Sequence, residues 1–134
     1  MPEKQTLKKA QRDLRQGKSA STAAGEFVHE EIEHVREGKH GARSTKQAIA
    51  IGLSKARRAG VPLPPPRKGE TSRRTRKSAE AAYDAGQGRP HGKPSPKRSR
   101  ATLRALEGES KSVASTSALS KQAKSAARRR KRAA

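Results

Sequence analysis

Large apolar side chains are nearly absent from this chain, and that scarcity limits what it can fold into more than any other feature. Phe27 and Tyr83 are its only aromatics, Met1 is its only methionine, and tryptophan is missing. Hydrophobic residues make up 29% of the 134, and most of them are alanine. Burial contributes about 25 cal/mol per Å² of apolar surface. Fixing one residue's backbone costs roughly 1–2 kcal/mol. On that balance most of the chain does not offset its own ordering. The expectation is an all-α protein: a small helical hairpin over about 26–60, with largely disordered, basic flanking segments that contain short helices.

The hairpin is read from periodicity. In 26–37 (EFVHEEIEHVRE), Val28, Ile32 and Val35 recur at i, i+4 and i+7 with Phe27 beside them, which predicts one apolar stripe on a helix of three turns. Gly38 and Gly41 bracket the connection that ends it. Ser44 with Gln47 three residues on has the form of a capping box. Ile49, Leu53 and Ala56 then repeat the helical spacing, with Ala48 and Ile51 widening the stripe, until Gly60 and Pro62 stop it. Helix one is acidic (Glu26, Glu30, Glu31, Glu33, Glu37) and helix two basic (Lys46, Lys55, Arg57, Arg58), so their charges are expected to pair across the hairpin.

The flanks read differently. Leu7, Ala10 and Leu14 form a thin stripe over 4–16, a helix expected to need a partner. Small residues at 19–25 read as a linker, closing a basic N-terminal segment over 1–25. VPLPPP at 61–66, within a Pro-rich linker over 61–71, reads as a stiff spacer. From 72 to 134 the chain reads as a basic, mostly disordered arm. Within it, weak helices start at Ser72 and at Ser95–Pro96, 88–96 is linker, and 115–134 becomes helical only when its charge is neutralised.

That charge is the second constraint. The chain holds 33 Lys and Arg against 12 Asp and Glu, a net charge of +21. Residues 1–66 carry 13 basic and 7 acidic side chains, and 67–134 carry 20 and 5. Such an excess points to a polyanion. The candidate phosphate contacts are Arg57 and Arg58 on helix two; Arg73, Arg74, Arg76 and Lys77; Lys97, Arg98, Arg100 and Arg104; and Arg128, Arg129, Arg130, Lys131 and Arg132. Guanidinium groups grip phosphate bidentately. Ser95-Pro96-Lys97-Arg98 is similar to the S-P-K/R-K/R elements of histone tails, which implies minor-groove contact. The scarcity of aromatics leaves no stacking platform for unpaired bases, so duplex DNA is favoured over RNA.

Other chemistry lacks its residues. Without cysteine there are no disulfides, thiolate metal sites or thiol nucleophiles. Phosphate loops, nucleophile elbows and catalytic triads are missing. His29 and His34 are five apart, about 140° around a helix, so with His40, Glu30, Glu33 and Glu37 they read as surface polar residues. No metal, no cofactor and no enzymatic activity are expected. No apolar run is long enough to span a bilayer.

The run Lys46 to Gly60, KQAIAIGLSKARRAG, together with the opening Val28-His29-Glu30, resembles a family of small, basic, uncharacterised bacterial proteins, over 25–66. The resemblance implies a bacterial protein with the hairpin as a recurring unit. Some members are labelled DNA-binding. It supplies no catalytic residue and no ligand, and it argues against reading Arg128–Arg132 as a nuclear localisation signal.

The expected function is low-specificity, histone-like or nucleoid-associated nucleic-acid binding in the bacterial cytoplasm. The alternatives are an RNA- or ribosome-associated basic protein and an adaptor that uses the hairpin for protein–protein contact. The hairpin's thin stripes would be better buried in a homodimer.

Overall fold

The computed structural model describes residues 2–89 and 95–133. Among them are six α-helices: α1 (Lys4–Arg15), α2 (Ala20–Arg36), α3 (Thr45–Arg58), α4 (Arg73–Gly86), α5 (Pro96–Glu107) and α6 (Thr116–Ala133). A 3-10 turn, Ser112–Ala114, precedes α6, and an isolated bridge joins Lys68 to Thr71. The protein is all-α, as expected. The chain forms two compact units that interleave in sequence: Met1–Glu30 with Ala50–Pro94, and Glu31–Ile49 with Ser95–Ala134.

Helix ends follow the sequence signals closely. Gly38 (φ +81°) and Gly60 (φ +100°) take the left-handed conformation that costs glycine nothing. After each, paired backbone bonds close the helix: Gly38 N–H to Val35 and Lys39 N–H to His34, then Gly60 N–H to Arg57 and Val61 N–H to Ala56. Ser44 Oγ accepts from Gln47 N–H at 3.1 Å. The reciprocal arm of this capping box lands one residue earlier than the standard form, on Arg43 N–H at 2.5 Å. Ser72 and Ser95 cap α4 and α5, and Pro96 occupies the first helical position of α5.

The first unit has a core of small residues around one ring. Phe27 is fully buried among Ala10, Ala23, Ala24, Ala56 and Val61, with Leu7, Leu14, Ala20, Leu53 and Leu63 against them. Gly52 lets α3 approach α2, since a Cβ there would stand 2.7 Å from the Val28 α-carbon. Residues 19–25 are therefore not a linker. Ala20, Ala23 and Ala24 are the first turns of α2 and carry part of its buried face. Nor does α1 require an outside partner, because its Leu7, Ala10 and Leu14 pack on this core. The Glu30 carboxylate accepts from Glu3 N–H at 2.6 Å and from Thr6 Oγ at 3.1 Å, tying α2 to the start of α1. Leu63 and Val61 also pack here, so the Pro-rich stretch is part of the unit. Gln87, after α4, donates to the Gly60 carbonyl at 3.3 Å.

In the second unit the turn between α5 and α6 is laced to the α2–α3 connection through the main chain. Gly41 N–H donates to the Leu106 carbonyl at 2.8 Å and Ala42 N–H to the Ser110 carbonyl at 3.0 Å. Arg36 Nε reaches the Ala114 carbonyl at 2.9 Å, and Thr45 Oγ the Val113 carbonyl at 2.7 Å. Ile32, Val35, Ala42, Ala48 and Ala114 are buried.

Largely disordered flanks are thus not what the chain forms. Residues 4–15, 73–86, 96–107 and 116–133 are all helical. The area balance underrated alanine: small side chains let backbones approach closely, so little side-chain volume fills the interface and backbone hydrogen bonds tie it. Helix α6 forms with Arg130, Lys131 and Arg132 in its last turn, where the helix dipole favours cations. Of the expected linker 88–96, residues 90–94 lie outside the described residues.

The acidic residues of α2 have partners close by. Glu30 turns to α1, Glu31 meets His40 at 2.5 Å, Glu33 pairs with Arg36 at 3.1 Å and Glu37 with Lys39 at 3.4 Å.

Candidate nucleic-acid interface

Folding redistributes the charge. Along the sequence the excess sits in the C-terminal half. Because each unit draws on both halves, the first carries 17 basic and 7 acidic side chains and the second 16 and 5. Both units are strongly cationic, and the second also offers a concave basic surface.

That surface lies where α6 passes the first turn of α3. One groove of about 430 Å³ is lined by Ser44, Thr45 and Lys46 and by Ala118, Lys121, Gln122, Ser125 and Arg128. A second concavity of about 300 Å³ is lined by Lys46, Ser125, Arg128, Arg129 and Arg132. Lys46, Ser125 and Arg128 belong to both, so the two run on from each other. The arrangement has a local cause. Thr45 is tied to Val113, which fixes where the chain turns into α6. Lys121, Ser125, Arg128 and Arg132 then fall at i, i+4, i+7 and i+11, one face of the helix.

Lys46, Lys121, Arg128, Arg129 and Arg132 are exposed. Lys121 to Arg132 covers about 16 Å of helix axis, close to five base-pair steps of about 3.4 Å each. Ser125 adds a hydroxyl between the cations. The positive end of the α3 dipole lies at the groove's edge, at Ser44–Lys46.

The sequence-derived residues are distributed as follows. Arg128, Arg129 and Arg132 line the groove, while Arg130 and Lys131 are exposed beside it. Lys97, Arg98, Arg100 and Arg104 are exposed on α5, with Lys97, Arg100 and Arg104 sharing a face. Arg73, Arg74 and Lys77 are exposed on α4, and Arg76 is half-buried, 3.7 Å from Glu80. Arg58 is exposed on α3. Arg57 is a correction. It is 8% exposed, and its guanidinium donates to the Leu63 and Pro64 carbonyls at 3.2 and 3.1 Å. Burial pushes it below the ordinary arginine value. Its donors serve the fold, because proline-rich backbone offers carbonyls with few N–H partners of its own.

Two cations of the groove, Lys46 and Lys121, are absent from the sequence-derived set. Lone lysines attract no attention beside Arg clusters. The Lys121–Ser125–Arg128–Arg132 spacing would have revealed the face once α6 was taken as a helix.

Positive charge also stands where it is electrostatically unfavourable. Arg73 and Arg74 open α4, Lys97 and Arg98 fall in the first turn of α5, and neither first turn holds an acid. A cation beside the positive end of a helix dipole costs roughly 0.3–1 kcal/mol. A bound anion would reverse that sign.

Residues 4–68, just under half of the chain, match a family described as a family of unknown function (DUF6496). The match runs from α1 through α3 into the Pro-rich stretch. It marks an uncharacterised domain over those residues. No curated protein and no solved structure shows significant similarity to the chain. No helix among the described residues is long and apolar enough to cross a membrane.

Proposed function

We propose that this protein binds nucleic acid through its phosphates with low sequence specificity, DNA in preference to RNA, as a bacterial nucleoid-associated protein. The observation that carries the reading is the α6–α3 groove, where Lys46, Lys121, Arg128, Arg129 and Arg132 line one concave face. The misplaced cations at the starts of α4 and α5 support it, since their repulsion with the helix dipoles is relieved by an anion. The reading is of a binding protein and not an enzyme.

Low specificity follows from the contacts on offer. Flexible Lys and Arg side chains on an exposed face meet phosphates, which carry no sequence information. The test is a gel shift with random-sequence duplex at about 50 and 300 mM salt, with five groove contacts giving a slope of log affinity on log salt near −4.5. Salt-insensitive binding, or none at the lower salt, ends the proposal. Competition by structured RNA at equal phosphate tests the preference, and stronger competition by RNA than by duplex reverses it.

A further inference from the structure

A second, chemically different cluster lies at the end of α2. Glu31 and His34 are one turn apart, and the α2–α3 connection brings His40 to them. Within the cluster the proton count is constrained. His40 Nδ1 lies 2.8 Å from the Gly41 carbonyl oxygen, which has no hydrogen to offer, so Nδ1 is the donor. His40 Nε2 lies 2.5 Å from Glu31 Oε1. With Nδ1–H committed, a neutral ring presents a lone pair there, and so does an ionised carboxylate. Both atoms are therefore donors suited to a cation.

We propose that Glu31, His34 and His40 form a binding site for a divalent first-row metal ion, zinc by donor chemistry. Each offers one ligand atom, and the three atoms all lie within 4.8 Å of one another. Ligands about 2.0–2.1 Å from a shared zinc sit about 3.3 Å apart, so the Glu31–His40 contact opens slightly to admit it. Two imidazoles and one carboxylate suit zinc, cobalt or nickel, whereas magnesium and calcium prefer an all-oxygen shell. The Gly41 carbonyl supplies the outer hydrogen bond that orients a ligating imidazole. The His40 side chain is 9% exposed and that of Glu31 is fully buried, so the carboxylate is shielded from competing water.

Three protein ligands leave a fourth position open to water or an added anion. A bound ion links the end of α2 to the segment that leads into α3. His29 and His34, on one helix, point about 140° apart. The third ligand comes from outside it.

The test uses the untagged full-length chain, stripped with chelator and titrated with zinc alone by calorimetry, and with cobalt as a spectroscopic probe. One ion per chain is expected, with visible absorption from four-coordinate cobalt. His34→Gln should weaken binding about tenfold or more, and His29→Gln, exposed on the same helix, should leave it unchanged. His40→Gln should abolish it. Should that variant fail to fold because Glu31 loses its contact with His40, His34→Gln carries the test, with circular dichroism confirming an intact helix content. No binding at about 100 µM zinc, or equal weakening by His29→Gln and His34→Gln, overturns the site.

Discussion

The α-carbon of Val28 occupies the space that a side chain at Gly52 would need: a Cβ there would stand 2.7 Å from it and 3.1 Å from a Val28 methyl group. Neither atom belongs to the free end of a flexible side chain, so helix α2 or α3 would have to move. Gly52→Ala is expected to destabilise the protein by about 1–3 kcal/mol through overpacking, although alanine is the better helix former by up to about 1 kcal/mol. Urea denaturation measures it. A variant as stable as the parent would mean that α2 and α3 do not cross here.

Arg57 and Arg58 are neighbours in sequence with opposite duties. Arg57→Gln removes charged donors from the Leu63 and Pro64 carbonyls, and a loss of about 1–3 kcal/mol is expected. Arg58→Gln, on the exposed face, should change stability by no more than about 0.5 kcal/mol. Thermal melts of the two variants side by side decide the matter. A loss for Arg57→Gln no larger than that for Arg58→Gln would contradict the buried bonds to Leu63 and Pro64.

Charge removal in the groove should be read in the salt dependence. Lys46→Gln with Arg128→Gln removes two phosphate contacts, so the slope of log affinity on log salt should fall by about 2. The far-UV spectrum should not change, because both residues are exposed. An unaltered slope would move the contact surface elsewhere.

The connection between α2 and α3 has no room for a side chain at 41. A Cβ on Gly41 would run into the Glu109 and Ser110 carbonyl oxygens, and the Gly41 N–H bond to Leu106 would be displaced with them. Gly41→Ala should cost about 1–3 kcal/mol and speed hydrogen exchange at Ala42, whose amide bonds to Ser110. Gly69→Ala, where no atom lies within 4 Å but φ is +93°, supplies a comparison in which only backbone strain operates, worth about 1 kcal/mol. Equal exchange at Ala42 in the two variants would contradict the packing of the turn.

Phe27 is the one ring in the first unit's core, fully buried among alanines. Phe27→Ala should remove about 3–5 kcal/mol, a large share of the roughly 5–15 kcal/mol that folded proteins possess. Loss of the cooperative thermal transition is the expected readout. A sharp transition within a few degrees of the parent would show that the alanine contacts suffice without the ring.

Local features were legible where the signal is local. Ser44, Ser72 and Ser95 sit where their side chains cap helices. Gly38 and Gly60 stop helices because the left-handed turn is easiest for them. Of the stripe Val28, Ile32 and Val35, with Phe27 beside it, Ile32, Val35 and Phe27 are buried while Val28 is only partly so. Order in the flanks was not legible, because it rests on alanine faces that no scale of large apolar residues registers. The use of Arg57 was hidden for a related reason. Its partners are main-chain carbonyls six and seven residues away, and any sequence would offer those.

The amino-acid order by itself determined that the chain is helical, rich in uncompensated positive charge and without thiol chemistry, since helix periods and caps need only residues a few positions apart and formal charge needs only a count. Only the tertiary structure decided which cations share a concave face, which arginine is spent inside, and which histidine joins Glu31 and His34. Those are relations between residues far apart in sequence. Lys46 and Arg128 stand 82 positions apart on the chain, and the turn that seats Thr45 on Val113 brings them to one groove.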